Sequence, residues 1–240
     1  MYLQLTTKCN MTCAHCCFSA NNKGDNMSRY TFATALSLAE RISGMVTLGG
    51  GEPTVHPEFF EYLDRAIDYY DRGRLELAPL VVTNGKLVSK ARKLLQYVEE
   101  ERGVWVDLSL DDYHDPIRPE IEMAFRRYHE ARMRDRYGIR RNAGDRGAGI
   151  RTAKVLVPVG RAADKARGLP VDDTLSCCCE DMLVDPLGNV FSCGCKTHLL
   201  GNIFEDDSVF EGYDREFAHE GGGLPAREHA RLYPEIQKAA

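Results

Sequence analysis

Between Cys17 and Cys177 the 240-residue chain has no cysteine, although it holds nine in all. It has one tryptophan and no apolar run near the roughly 20 residues that a membrane helix needs. Met1-Tyr2-Leu3-Gln4-Leu5 is not a basic stretch followed by an apolar one, so no secretory signal is expected. Positive charge is not in excess: the net charge is −5, which argues against a generic nucleic-acid coat. Internal repeats and long low-complexity segments are also missing. What remains is ordinary globular composition, 43% apolar and 28% charged, at a length that suits one large domain or one domain with a small appendage.

The cysteines fall into two groups, Cys9, Cys13, Cys16 and Cys17, then Cys177, Cys178, Cys179, Cys193 and Cys195. A disulfide scaffold is typically small, secreted and even in cysteine count, and this chain has none of those marks. Thiolates serving as metal ligands are the better reading, and they imply a reducing, cytoplasmic setting.

Short β-like runs alternate with helical ones. Strands are expected at Leu3–Thr6, Met45–Leu48, Leu80–Thr83, Val104–Leu110 and Thr152–Val159. Helices are expected after Ser28, from Pro57, near Ser89–Glu101 and over Arg118–Tyr137. This order predicts an α/β fold with a parallel sheet, open or curled as a partial barrel. The pattern stops after Gly160, so residues 1–160 form the expected main domain and 161–240 an appendage. There, 161–176 reads as a linker, Met182–Val184 and Asn189–Ser192 as a hairpin, and Ser208–Phe217 as a helix. On strand four, Val104, Val106, Leu108 and Leu110 share one face, while Trp105, Asp107, Ser109 and Asp111 share the other. Gln4 and Thr6 oppose Leu3 and Leu5 in the same way. A polar inner face is expensive for a purely structural core, and sites in such folds lie at the C-terminal strand ends.

Three motifs fall at those ends. Cys9-Asn-Met-Thr-Cys13-Ala-His-Cys16 packs three thiolates into one loop, which suits three irons of a [4Fe-4S] cubane and leaves the fourth iron open. Zinc completed by Cys17 or His15 is the alternative. Gly49-Gly50-Gly51-Glu52 ends strand two, and its glycines let a ligand approach the backbone. Ser109-Leu110-Asp111-Asp112-Tyr113-His114 ends strand four.

Together these motifs resemble the radical S-adenosylmethionine (SAM) superfamily over about residues 1–160. The resemblance implies a partial (β/α) barrel of five to six parallel strands with a small C-terminal hairpin/helix appendage that binds a cluster. It implies Cys9, Cys13 and Cys16 as cluster ligands, and His15, Gly49, Gly50, Gly51, Glu52, Thr83, Asn84 and Ser109 as SAM contacts. Asp111, His114 and Lys154 are the expected catalytic side chains. The implied chemistry is reductive cleavage of SAM to a 5′-deoxyadenosyl radical that takes hydrogen from a substrate, with a reductase, flavodoxin or ferredoxin as electron donor. The segment from Arg140 to Gly147 departs from the family pattern, since a fifth strand and helix are expected before Thr152.

Cys177-Cys178-Cys179 followed by Gly188-x4-Cys193 and Cys195 resembles the auxiliary-cluster domains called SPASM and twitch. That resemblance implies one further iron–sulfur cluster, held by Cys178, Cys193 and Cys195 with Cys177 or Cys179; structural zinc is the alternative. It ranks peptide or protein modification first, and a nucleotide, nucleic acid or small metabolite second. Arg126 to Arg151 holds nine arginines against three acids. That excess is either a solvated helix face or a site for an anionic substrate or nucleic acid. An iron–sulfur electron carrier is the reading from a different class, and the glycine motif and polar inner face speak against it.

Overall fold

In a computed structural model of the chain, the described residues are 1–100, 102–137, 147–151, 156, 159–164, 167–171, 182–196 and 198–205. The elements, in chain order, are β1 (Tyr2–Thr6), α1 (Arg29–Ile42), β2 (Thr47–Gly50), α2 (Phe59–Asp71), β3 (Leu80–Thr83), α3 (Val88–Glu99), β4 (Trp105–Ser109), α4 (Pro119–Tyr137), β5 (Gly147–Arg151), β6 (Leu183–Val184), β7 (Asn189–Phe191) and β8 (Leu199–Asn202). They build one eight-stranded sheet in the order β5-β4-β3-β2-β1-β6-β7-β8. Strands β1 to β6 run parallel, β7 is antiparallel to β6, and β8 is antiparallel to β7. The fold is α/β with a mostly parallel, open sheet.

Local chemistry starts and stops these elements. The Ser28 hydroxyl accepts the Thr31 N–H at 3.0 Å and opens α1. Gly44 takes φ +64° and returns its N–H to the Ala39 carbonyl, closing the helix. The apolar stripe of α1 (Phe32, Ala35, Leu36, Ala39) and that of α2 (Phe59, Leu63, Ala66, Ile67) are buried against one sheet face. Leu3, Leu5, Leu48, Val81, Val106 and Leu108 meet them from the strands, all 0% exposed. Each such side chain contributes about 1.5–3 kcal/mol by leaving water.

Three expectations need correction. Strand two begins at Thr47 rather than Met45 and runs into the glycine triplet, because the register Tyr2↔Thr47, Leu3↔Leu48, Gln4↔Gly49 carries it there. The expected Thr152–Val159 lies outside the described residues except for Leu156 and Val159, but a fifth parallel strand is present ahead of it, at Gly147–Arg151, where the sequence showed none. Its glycines disguise it as a loop, yet the Trp105 ring lies where a Cβ on Gly147 would stand, so glycine is what lets β4 and β5 pair. The stretch after Gly160 is not a plain linker at its start, since Gly160–Ala163 forms a 3-10 turn against the first cysteine loop.

The hairpin around Asp185-Pro186-Leu187-Gly188 is present, and β6 pairs in parallel with β1. A boundary at residue 160 therefore does not separate two sheets. The expected helix at 208–217, Lys154, and Cys177, Cys178 and Cys179 lie outside the described residues. Among the described residues no helix is long and apolar enough to cross a membrane.

Candidate SAM and cluster site

The C-terminal ends of β1 to β5 surround one cavity of about 340 Å³. Cys9, Cys13 and Cys16 line it from the loop after β1, with His15 between the last two. Gly50, Gly51 and Glu52 line it after β2, Thr83 and Asn84 at the end of β3, Ser109, Asp111 and His114 after β4, and Arg151 from β5. Residues far apart in sequence converge because a parallel sheet brings every strand end to the same edge.

The loop that carries the three thiols is held from outside itself. Arg161 donates from Nε to the Cys13 carbonyl at 2.8 Å and from its guanidinium to the Ala20 carbonyl at 2.6 Å. Its own backbone N–H reaches the Cys16 carbonyl at 3.0 Å. Asn84 Nδ2 donates to Asn10 Oδ1 at 2.8 Å and approaches Cys9 Sγ at 3.7 Å, and the Met11 N–H reaches the same sulfur at 3.4 Å. Burial pushes the Cys9 thiol up to about 11 and raises Cys13 as well. Deprotonation therefore needs a compensating positive charge, which iron supplies. Three reduced thiols on one loop, facing one cavity with amide donors aimed at a sulfur, fit a cluster held by Cys9, Cys13 and Cys16.

The glycine motif also has a packing task. Added Cβ atoms would overlap the Tyr2 hydroxyl at Gly49, the Thr6 carbonyl oxygen at Gly50 and the Lys8 carbonyl oxygen at Gly51. The run is small so that β2 can pack against β1 and the start of its loop. Gly49 is not among the residues lining the cavity; Gly50 and Gly51 are.

Glu52 is 1% exposed and its carboxylate is already engaged. It accepts from the Thr54 N–H (3.1 Å), the Thr54 hydroxyl (2.5 Å), the Thr83 hydroxyl (2.8 Å) and the Asn84 N–H (2.7 Å). Burial pushes its carboxyl above the usual carboxylate range, and these donors offset that in part. Glu52 thus locks the end of β3 to the end of β2 and so places Thr83 and Asn84.

Across β4, His114 Nδ1 lies 2.8 Å from Asp111 Oδ1, and His15 Nε2 lies 3.8 Å from Asp111 Oδ2. The His15 and His114 rings meet edge to face at 4.6 Å. Burial lowers the His15 pKa, while Asp111 works against that shift. Arg151 is half exposed and lies 3.5 Å from Asp107, a loose pair. Elsewhere in the arginine-rich segment, Arg126 is paired with Glu122 on the outside of α4.

Sequence reasoning missed Tyr2 and Arg161, and reached Arg151 only as the end of the arginine-rich segment. Tyr2 was legible, since it shares the β1 face of Gln4 and Thr6. Arg161 was not: its partner Cys13 is 148 residues away and no local pattern marks it. In the second group, Cys193 is buried and Cys195 half-buried, both in the β7–β8 connection. Cys17, on the first loop, is within electrostatic reach of Lys196 on that connection.

Residues 3–141 match the family model described as the radical SAM superfamily. The mycofactocin maturase MftC of Mycobacterium ulcerans (strain Agy99) is 37% identical over 70 residues, 28% of this chain and 19% of that protein. MftC of Mycobacterium tuberculosis (strain CDC 1551 / Oshkosh) matches equally over 18% of its length, so the match spans about a fifth of these relatives. Among solved structures, BtrN in complex with AdoMet and 2-DOIA aligns with a TM-score of 0.64 at 16% identity, over 98% of this chain and 90% of that one. The native anSMEcpe structure with bound AdoMet and Cp18Cys peptide aligns with a TM-score of 0.51 at 19% identity, over 90% and 80%. The family match covers more than half of the chain and contains the thiol loop and the ends of β1 to β4 that line the cavity: this protein belongs to the radical SAM superfamily, whose members are enzymes that cleave SAM at a [4Fe-4S] cluster.

Proposed function

We propose that this chain modifies a peptide or protein substrate by radical chemistry, with SAM and one [4Fe-4S] cluster in the cavity at the strand ends. The observation that carries the reading is the convergence of Cys9, Cys13, Cys16, Ser109, Asp111 and His114 on one cavity. When bound, the cluster and SAM supply a 5′-deoxyadenosyl radical. The protein's residues do the rest. Cys9, Cys13 and Cys16 hold the cluster. Gly50, Gly51, Asn84, Ser109 and His15 form the wall against which SAM is held, and Glu52 keeps that wall in place. Asp111, fixed by the Tyr113 N–H at 3.0 Å, accepts from His114 Nδ1 and so makes Nε2 the ring nitrogen that would take a proton. Lys154 is a second proposed proton-handling group. A reductase, flavodoxin or ferredoxin is the proposed electron donor.

Cys193 and Cys195, with Cys178 and either Cys177 or Cys179, are proposed to hold a twitch-like auxiliary cluster. Support comes from Cys193 and Cys195 lying two residues apart in the β7–β8 connection, Cys193 buried and Cys195 half-buried. Peptide modification is ranked first because a relative is named a maturase and a structural neighbour binds a peptide. A small anionic substrate is the second reading. It is favoured by Arg151 at the cavity and by a volume of small-molecule size.

The test is anaerobic. Protein reconstituted with iron and sulfide, then reduced, should convert SAM to 5′-deoxyadenosine, and the Cys9/Cys13/Cys16→Ala variant should make none. In Cys193→Ala, iron per chain should fall while SAM cleavage persists. Bound SAM with intact clusters and no 5′-deoxyadenosine, with or without candidate substrates, would defeat the reading.

A further inference from the structure

Lys86, just past the end of β3, joins two strand ends that meet the cysteine loop. Its backbone N–H donates to Asn84 Oδ1 at 3.0 Å. That bond fixes which way the Asn84 amide points, so Nδ2 turns to the loop, 2.8 Å from Asn10 Oδ1 and 3.7 Å from Cys9 Sγ. The Lys86 ammonium lies 2.8 Å from Asp115 Oδ2, in the segment between β4 and α4. Asp115 in turn acts on Cys13 in two opposite ways. Its N–H donates to the thiol and favours the thiolate, while its carboxylate disfavours it. One residue thus orients the donor at Cys9 and neutralises the carboxylate beside Cys13.

We propose that the Lys86–Asp115 ion pair sets the reduction potential of the cluster held by Cys9, Cys13 and Cys16, with Lys86 as the positioning residue. The cluster gains one negative charge when it takes the electron that SAM cleavage requires. Hydrogen bonds to its sulfurs and the net charge nearby decide how readily it does so. Paired, Lys86 and Asp115 nearly cancel. A lone carboxylate at this place resists reduction, and a lone ammonium assists it. The pair stands at the rim, its side chains 37% and 42% exposed, so solvent screens part of the effect. The inference rests on the cluster of the reading above and not on its substrate.

The test is an anaerobic redox titration of cluster-reconstituted protein at low ionic strength without SAM, followed by EPR. The signal read is the one that Cys9/Cys13/Cys16→Ala lacks. Wild type is compared with Lys86→Met, Asp115→Asn and the double variant; Lys86→Met keeps the backbone N–H that orients Asn84. At a fixed potential the ratio of reduced to oxidised cluster should fall roughly fivefold in Lys86→Met and rise roughly fivefold in Asp115→Asn, about 40 mV each way for one electron. The double variant should return close to wild type. Shifts of one sign in both single variants, as loss of a merely structural pair would give, or equal ratios in all four proteins, would overturn the proposal. If Lys86→Met loses iron, Asp115→Asn decides: a ratio above wild type supports the proposal, and one at or below wild type overturns it. Opposite shifts without any SAM cleavage sink the radical reading and spare this one; SAM cleavage with four equal ratios does the reverse.

Discussion

The two cysteine-bearing regions are bound to the molecule by opposite means. The first loop, between β1 and α1, takes its shape from Arg161, Asn84, Glu52 and the end of β2, all distant in sequence. The β6–β7 hairpin that leads into the Cys193–Cys195 segment is organised by its own turn. Asp185 Oδ1 accepts from the Leu187 and Asn189 N–H groups at 2.9 and 3.0 Å, and Gly188 supplies φ +86°. The first region is a tertiary construction and the second a local one. A site that must bind a cofactor among five strand ends cannot be assembled by one turn, whereas a two-strand hairpin can.

The largest expected effect breaks the first side of this comparison. Glu52→Ala leaves the Thr54 N–H, the Asn84 N–H and the Thr83 hydroxyl without their buried acceptor, at a cost of about 4 kcal/mol. Urea unfolding should show the loss, with iron content falling in parallel. Asp185→Ala attacks the other side and should cost about 3 kcal/mol, through the Leu187 and Asn189 backbone donors and the Asn189 side chain. SAM affinity, measured by calorimetry on the reconstituted protein, should be unaffected; a large loss would mean that the two regions are energetically one.

Arg161→Ala comes next, at about 2 kcal/mol for two charge-assisted bonds to carbonyls. Arg161→Lys should recover less than half of it, because one ammonium cannot span both the Cys13 and Ala20 oxygens. Chelator challenge of the cluster checks this: iron should leave Arg161→Ala faster than wild type, and equal rates would show that the clamp is dispensable.

The smallest effect concerns the exit of the first loop. His56 Nε2 pairs with the Met27 carbonyl at 2.9 Å, and its Nδ1 accepts the Glu58 N–H at 3.1 Å, so the neutral ring is required. Burial lowers its pKa below 6.5. Below about pH 6.5 the unfolded chain therefore binds more protons at this position than the folded one. The contribution is fully present above that pH and is lost as pH falls through the lowered folded value. His56→Gln should flatten this limb of the stability profile relative to wild type. His15, also lowered by burial, titrates in both proteins and cancels in the difference.

Much of the frame was legible in the residues. Ser28 and Gly44 bracket α1 as their chemistry predicts. The alternation in β4 buries Val104, Val106 and Leu108 and turns Ser109 and Asp111 to the cavity. Other features misled or were silent. Glycines hid β5 because their purpose, room for Trp105, is visible only from β4. The glycine triplet reads as a ligand cradle, yet Gly49 is small to admit the Tyr2 hydroxyl, which accepts the Gly50 N–H, and that contact is set by the β1–β2 pairing.

By itself, the sequence determined the parallel α/β order, the Asp185–Gly188 turn and the position of three thiols just after the first strand. Caps, turns and two-residue alternation act over a few neighbours, so they can be read from a few neighbours. Only the tertiary structure decided that β6 docks on β1, that Glu52 acts as a lock, and that Arg161 closes the cysteine loop. Each of those depends on hydrogen bonds between groups brought together by sheet order, and a buried donor or acceptor takes whichever partner the packing places within about 3 Å.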